Sequence, residues 1–386
     1  MIYFDNAATS FPKPPQVIRA MTGTLEKLGA NPGRSGHRLS LCAGRVVQAC
    51  REEAAQLLGA ESSEQVIFTP SCTEALNLAT LGTLHQGDEV ICSHGEHNAV
   101  MRPLYHLAST GQITLRVLTP DPMGILQPHT LQSAIGPRTA LVVLCHASNV
   151  TGVIQPISRL GAICQENGVP LLVDAAQTAG VLDVSLHALN ADMIAMPGHK
   201  GLYGPAGTGL LIVNCDLLPA SLLEGGTGSF SMEAQMPDFL PDLLEAGTVN
   251  TPGILGLGAG IGFVLQHTPA RLYRREMDLC AYLYRGLSRI DGVKLYSPPP
   301  RMGKSLPLIA LNIGTLDSTR AAELLNEHHI AVRAGFHCAA LAHRKWHTDR
   351  DGVVRVSLGA FNTPAQAQAF CAAAQDILRR TRGKKS

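Results

Sequence analysis

The sequence predicts an α/β protein of two domains, the larger built on a mostly parallel sheet and the smaller an α+β unit toward the C-terminus. Three observations carry that expectation. The chain has 386 residues, 45% of them hydrophobic, and so exceeds the roughly 250–300 residues at which a single core stops growing. From Val66 to Val213, short β-rich apolar runs alternate with stretches of helical period, the signature of strands joined by crossover helices. After Thr251 the pattern gives way to long helices interleaved with fewer strands.

In chain order, the residues before Pro12 are expected to fold back onto the active-site region. A helix spans about residues 39–58, where Leu39, Ala43, Val47, Cys50, Ala54 and Leu58 share one face and Gly59 stops it. The strand candidates VIFT, EVICS, ITLRVL, ALVVLCH, PLLVDAA, MIAM and GLLIV follow. Between two of them, Pro156 opens ISRLGAICQEN and Gly168 closes it, with Pro in the first turn and Gly just past the end. The run GILGLGAGIGFVL from Gly253 falls short of the roughly 20 apolar residues that span a bilayer and reads as a buried helix. VKLYS, LPLIALNI, AVRAG and VVRVSLG are the strands of the second unit, which ends in a helix rich in Ala and Gln. The expected division is residues 12–252 against residues 1–11 with 253–386.

Lys+Arg of 31 against Asp+Glu of 30 leaves a formal charge of +1, too little to collect a polyanion or coat a membrane. No nucleic-acid or membrane partner is expected, and a small-molecule substrate is the default. The start MIYFDNAATS lacks a basic leader region, so a cytoplasmic location is expected. Ten cysteines include no C-x-x-C pair; Cys92 and Cys145 lie in apolar runs, and most cysteines read as reduced core residues. The tail RRTRGKKS reads as a frayed, solvated end.

Chemistry concentrates in PLLVDAAQT and, downstream, PGHKGLYGPAGTG. Ligands of parallel α/β sheets collect at the carboxyl ends of strands, where Asp174 and Lys200 both fall. An acid beside an amine able to form a Schiff base suits a pyridoxal site, the carboxylate holding the pyridine nitrogen protonated and the lysine carrying the cofactor. Taken singly, Asp174 could equally be a helix cap and Lys200 a surface amine.

The strings DNAATS, SCTEALN, EHNAV, SNVTG, DAAQ, GHK, EAGTVN, RAGFHCA and RVSLGAFNT, in this order over nearly the whole chain, resemble the cysteine desulfurase and selenocysteine lyase branch of the class V aminotransferases. The resemblance implies a pyridoxal 5'-phosphate (PLP) enzyme of fold type I, acting on L-cysteine or L-selenocysteine. Lys200 would carry the cofactor and move the substrate's Cα proton. Cys72 and Thr73 would open a helix whose N–H groups and dipole hold the cofactor phosphate, Thr73 adding a hydroxyl bond or merely capping the helix, and His199 would join them. His97 would stack on the pyridine face and shuttle protons. Gln177 would donate to the cofactor's phenolic oxygen, with Asn149 near that oxygen and the substrate carboxylate. Arg355 would clamp the carboxylate through a bidentate fork. Cys338, on a segment that reads as a loop, matches the sulfur-accepting nucleophile. Thr248 would reach the phosphate of a neighbouring subunit, which implies a homodimer, and a sulfur-acceptor protein would relieve Cys338. Pro197 departs from the family, where serine is common two residues before the histidine of GHK; its lack of hydroxyl and N–H predicts one phosphate contact fewer.

Other readings are weaker. GKS from Gly303 lacks the first glycine of a P-loop, and GLGAGIG follows no strand. Cys338, His343 and His347 could form half a zinc site, which would make the chain a metal-binding or sulfur-carrier module, but no complementary Cys/His pair is evident. Another class V β-lyase or an aminotransferase would share the cofactor residues. The reading that accounts for most residues is a desulfurase that releases alanine and leaves sulfur on Cys338 as a persulfide.

Overall fold

The computed structural model describes residues 1–33 and 35–382. The last four residues of the basic tail lie outside the described residues. After a short strand β1 (Ile2–Tyr3) come β2 (Val66–Thr69), β3 (Glu89–Ser93), β4 (Thr114–Leu118), β5 (Thr139–Cys145), β6 (Leu171–Asp174), β7 (Met193–Pro197) and β8 (Gly209–Val213). These seven later strands form one sheet in the order β2-β8-β7-β6-β5-β3-β4. Each lies on one of the predicted runs. β3 through β7 pair in parallel, while β8 runs antiparallel to β2 and β7.

Because helices cover both faces, β6, β7 and β8 are buried along their whole length, which is why they read as unbroken apolar runs. The two faces feed two cores. Val142, Leu144, Val173 and Ile194 point into one, and Leu141, Val143, Leu172 and Met193 into the other, as the period of two along a strand requires.

The predicted early helix is Arg38–Leu58, closed by Gly59 at φ +61°. Ala43, Val47, Cys50, Ala54 and Leu58 are buried as expected, but Leu39 is exposed. In that first turn Ser40 takes the buried place instead, its hydroxyl donating to the Asn31 carbonyl at 2.7 Å. The helix Ile157–Glu166 begins one residue later than predicted, so Pro156 is its N-cap rather than part of its first turn. Gly168, at φ +64°, follows its end. The glycine-rich run lies in the helix Thr251–His267, which is buried over most of its length.

The remaining strands are β9 (Val293–Leu295), β10 (Leu308–Ile313), β11 (Ile330–Ala331), β12 (Arg333–Gly335) and β13 (Val353–Ser357). Four of them form an antiparallel sheet, β12-β13-β10-β9, and β11 pairs in parallel with β1. Phe4 is buried in the core of this second unit, edge-on to Phe370. The Ser10 N–H donates to the His199 carbonyl, next to Lys200, at 3.0 Å, so the first residues fold back onto the region expected of the active site. All ten cysteines are free thiols; Cys92 and Cys145 are buried, and Cys42, Cys215 and Cys338 are exposed. Among the described residues, no helix is long and apolar enough to cross a membrane.

Candidate active site

The carboxyl ends of β2, β3, β5, β6 and β7 converge on a cavity of ≈ 260 Å³. Its wall includes Cys72 and Thr73 after β2, His97 after β3, Asn149 after β5, Asp174 and Gln177 at the end of β6, and Pro197, His199 and Lys200 at the end of β7. The second unit closes it with Arg333 and Cys338. Nine residues predicted from sequence are thus brought together.

The helix Cys72–Thr83 starts at the cavity, where its first N–H groups have no partner within the helix. Ser71, not Thr73, is the cap: its hydroxyl accepts from the Glu74 N–H at 3.2 Å. Cys72 Sγ lies 3.8 Å from Asp174 Oδ1, and burial, then the Asp174 charge, hold its thiol well above its ordinary range. Asp174 is buried, with Oδ1 also accepting from the Ala176 N–H at 2.9 Å. Burial lowers the pKa of Lys200, with Arg355 and Arg333 acting in the same direction against Cys72 and Asp174. A depressed ammonium supplies the free amine that a Schiff base needs.

His97 caps the helix Asn98–Ser109, its Nδ1 accepting from the Ala99 N–H at 3.0 Å. Burial, with Lys200, Arg333 and Arg102 against Asp174, lowers its pKa, so the neutral ring carries its proton on Nε2. His199 is pushed down to about 4 by burial and by Lys200 and Lys13. Its carbonyl receives Ser10 N–H at 3.0 Å, the Thr9 hydroxyl at 3.1 Å and Lys13 Nζ at 2.9 Å. The N-terminal segment thereby pins the peptide just before Lys200. Gln177 Nε2 donates to the Ala7 carbonyl at 3.1 Å in the same segment.

Cys338 is exposed on a loop where it and His337 both adopt left-handed backbone, φ 56° and 51°. Non-glycine residues hold such geometry only when the surroundings fix it. Here Asn149 Nδ2 donates to the His337 carbonyl at 2.7 Å and the Asn98 N–H to the Cys338 carbonyl at 2.8 Å. Arg333 Nη2 lies 3.9 Å from Cys338 Sγ. His343 is buried, bonded through Nδ1 to Thr348 Oγ1 at 2.7 Å and stacked on His337. Among the described residues, no group of three or more His, Cys, Asp and Glu could hold a metal ion.

Two predicted residues lie outside the cavity wall. Arg355, on β13, is only 1% exposed. Its fork is already engaged: Nη2 is 3.0 Å from Asp5 Oδ1 and Nη1 donates to the Asn149 carbonyl at 2.9 Å, while the buried Nε has no partner. Thr248 is exposed and lines a different cavity, of ≈ 320 Å³, with its hydroxyl accepting from Asn31 Nδ2. Conversely, Asp5 and Arg333 are not singled out by the sequence. Both sit inside quoted strings, DNAATS and RAGFHCA, and membership of a matching string is the signal that could have found them.

These groups fit pyridoxal phosphate. A buried carboxylate and a depressed lysine face a helix N-terminus across one cavity, and His199 Nδ1 is buried without a partner among the described residues. Comparison with known proteins agrees. The class-V aminotransferase family model matches residues 2–370. A Methanothermobacter thermautotrophicus protein described as a "probable cysteine desulfurase" is 35% identical, over 95% of this chain and 92% of that one. The cysteine desulfurase of Klebsiella pneumoniae strain 342 is 33% identical, over 98% and 93%. The apo structure of the Thermococcus onnurineus cysteine desulfurase superposes with a TM-score of 0.91 at 32% identity, covering 98% of this chain and 94% of that one. With cavity, fold and sequence in accord over nearly its whole length, the chain belongs to the cysteine desulfurases of the class-V aminotransferase family.

Proposed function

We propose that the chain uses pyridoxal phosphate held on Lys200 to cleave the Cβ–S bond of L-cysteine, releasing L-alanine and leaving the sulfur on Cys338. The observation that carries this reading is the placement of Cys338 and Lys200 on one cavity wall, one from each unit. Bound there, the cofactor supplies a protonated ring that takes up the electron pair left at Cα. Asp174 keeps the ring nitrogen protonated, and the helix start at Cys72 and Thr73 holds the phosphate together with His199. His97 and Gln177 hold the ring, and Lys200 Nζ moves the Cα proton.

On the substrate, Asn149 orients the carboxylate together with Arg355, whose fork must first release Asp5 and the Asn149 carbonyl. The Cys338 thiolate attacks the substrate sulfur: the S–S bond forms, the Cβ–S bond breaks with its electron pair on Cβ, and a proton taken up there, followed by return of the Cα proton from Lys200, completes alanine. The Cys338 persulfide is then relieved by a thiol reductant or a sulfur-acceptor protein.

Homodimerisation, with Thr248 serving the neighbouring subunit's phosphate site, is part of this proposal. Its support is that Leu222 and Leu223, two exposed leucines, line the same cavity as Thr248. Cytoplasmic location belongs to the same reading.

The test is alanine formation by the holoenzyme from cysteine and from selenocysteine, in wild type and Cys338→Ala. Sulfur leaves poorly without thiolate attack, so the variant loses turnover of cysteine by orders of magnitude. Selenium is the better leaving group, so its turnover persists. Alanine production from cysteine at the wild-type rate, with no persulfide on Cys338 by mass spectrometry, would favour a plain β-lyase or aminotransferase. Retained selenocysteine turnover also leaves open selenocysteine lyase as the native activity, which the ratio of the two wild-type specificity constants decides.

A further inference from the structure

The thiol that must reach the substrate sulfur belongs to the second unit, whereas the cofactor residues belong to the first, so the loop of Cys338 has to be fixed across their junction. Its left-handed residues His337 and Cys338 hold a conformation that a loop keeps only when its surroundings impose it. Two bonds anchor the loop itself, from Asn149 Nδ2 to the His337 carbonyl and from the Asn98 N–H to the Cys338 carbonyl. It then runs straight into the helix Ala340–Lys345, which has no side-chain cap and is too short to be stable alone.

What holds that helix is the large unit. Ala339 and Ala342 pack with Val150, and Leu341 rests on the core that includes Val90 and Cys92 of β3. At its end, Lys345 Nζ donates to two successive carbonyls of the loop after β4, Pro120 at 2.6 Å and Asp121 at 2.5 Å. Trp346 lies on the same loop: a Cβ at Gly124 would come within 3.3 Å of its ring. Burial lowers the Lys345 pKa against the opposing Asp121 charge, as for an ammonium that has exchanged water for carbonyls.

The receiving loop is built rigid. Asp121 Oδ1 accepts from the Met123 and Ile125 N–H groups at 2.8 and 2.9 Å, and Oδ2 accepts from Gln127 Nε2 at 2.8 Å. Gln155 bonds the Gly124 carbonyl and the Leu126 N–H, each at 2.8 Å. The end of β4 is tied to the cofactor side as well, because the His94 N–H, three residues before His97, donates to the Leu118 carbonyl at 3.0 Å. One helix of six residues, about 9 Å long, therefore separates Cys338 from a fixed point of the large unit.

We propose that Lys345 is a positioning residue for the nucleophile: by fastening the helix after Cys338 to the carbonyls of Pro120 and Asp121, it sets where Cys338 Sγ stands relative to the substrate sulfur. The inference rests on the desulfurase reading for the role of Cys338. A misplacement of about 1 Å can cost on the order of a hundredfold in rate, and only chemistry that needs the thiolate would feel it.

The experiment compares wild-type holoenzyme with Lys345→Met and Lys345→Arg. It measures turnover of cysteine and of selenocysteine, the absorbance of bound cofactor, and hydrogen exchange of residues 336–346 by mass spectrometry. Lys345→Met keeps the aliphatic stem and loses the donors. It is expected to lower kcat on cysteine about tenfold or more, with selenocysteine turnover and cofactor absorbance unchanged and residues 336–346 exchanging faster. Lys345→Arg, which carries donors for the same carbonyls, should restore both readouts. A merely structural role would lower the two turnovers together and leave their ratio alone, which overturns the proposal, as does unchanged exchange in Lys345→Met. Should Lys345→Met fail to fold, Asp121→Ala undoes the receiving loop from the other side, and an unchanged ratio of cysteine to selenocysteine turnover there overturns it equally. If Cys338→Ala turns over cysteine like wild type, the desulfurase reading fails, and the exchange of residues 336–346 still decides whether Lys345 holds the loop.

Discussion

Pro197 ends β7, lines the cavity three residues before Lys200 and pairs across the sheet with Gly209. It has no N–H and no hydroxyl to give, at a place where the related enzymes commonly supply serine. The remaining donors around it are the Cys72–Thr73 helix start and His199. If these leave the phosphate short of one hydrogen bond, Pro197→Ser should tighten cofactor binding by about 1 kcal/mol, the net worth of one such bond, or roughly fivefold in dissociation constant. Titration of apoenzyme with pyridoxal phosphate, followed by absorbance, measures it. Equal or weaker binding would mean that the phosphate is already saturated. Lys200 offers the complementary control: Lys200→Ala should lose the borohydride-reducible absorbance altogether, since lysine alone among the common side chains makes that linkage.

Among the elements, the helix Thr251–His267 shows why a run that could pass for a nucleotide motif is glycine-rich. Its glycines let backbone lie on backbone. A Cβ at Gly260 would run into the carbonyl of Leu202 and come within 2.8 Å of the Gly204 nitrogen. These residues form the turn that follows Lys200, closed by the Tyr203 N–H on the Lys200 carbonyl at 2.9 Å and by the Gly204 N–H on the Gly198 carbonyl at 2.8 Å. Gly258 similarly meets Cys50 on the helix Arg38–Leu58. Gly260→Ala should therefore cost about 1–3 kcal/mol of stability, the usual range for overpacking, and weaken cofactor retention by displacing the Lys200 turn. Gly262, on the same helix, has open space around its would-be Cβ, so Gly262→Ala should be neutral or stabilise by up to about 1 kcal/mol, the helix propensity gain. Denaturant melts of the two variants, with bound cofactor counted by absorbance, separate the effects. Loss of stability in both would point to helix flexibility instead of contact with the turn.

The molecule as a whole was legible from sequence where structure is local and repetitive. The central strands β6, β7 and β8 carry unbroken apolar runs because both faces are covered, and Asp174, Gln177, His199 and Lys200 announce themselves because they end or follow such strands. Partners distant in the chain leave no such trace: Asp5 meets Arg355 across 350 residues. Nor could Leu39 be told from Ser40, since helical period alone does not say where a helix start overhangs its core. Another illegible contact joins the two units. Glu276, on the helix Pro269–Leu287 of the second unit, accepts from the Tyr203 hydroxyl at 3.3 Å beside the Lys200 turn, and the same hydroxyl accepts from the Ala360 N–H at 3.2 Å. Burial pushes the Glu276 carboxyl up to about 8, well above its ordinary 4.5. A carboxyl whose folded pKa is raised favours the fold in its protonated form. Its contribution is complete below about pH 4.5, falls as pH rises toward 8, and is lost above that. Glu96, also buried and raised to about 8 by burial, acts in the same sense. Wild-type stability should thus decline between pH 5 and pH 8, with each group adding at most about 1.4 kcal/mol per pH unit to the slope. Glu276→Gln keeps an oxygen for Tyr203 and cannot ionise, so its thermal midpoint should match wild type near pH 5 and exceed it near pH 8. Curves that stay parallel across this range would show that Glu276 does not titrate there and that its contact with Tyr203 is held without its proton.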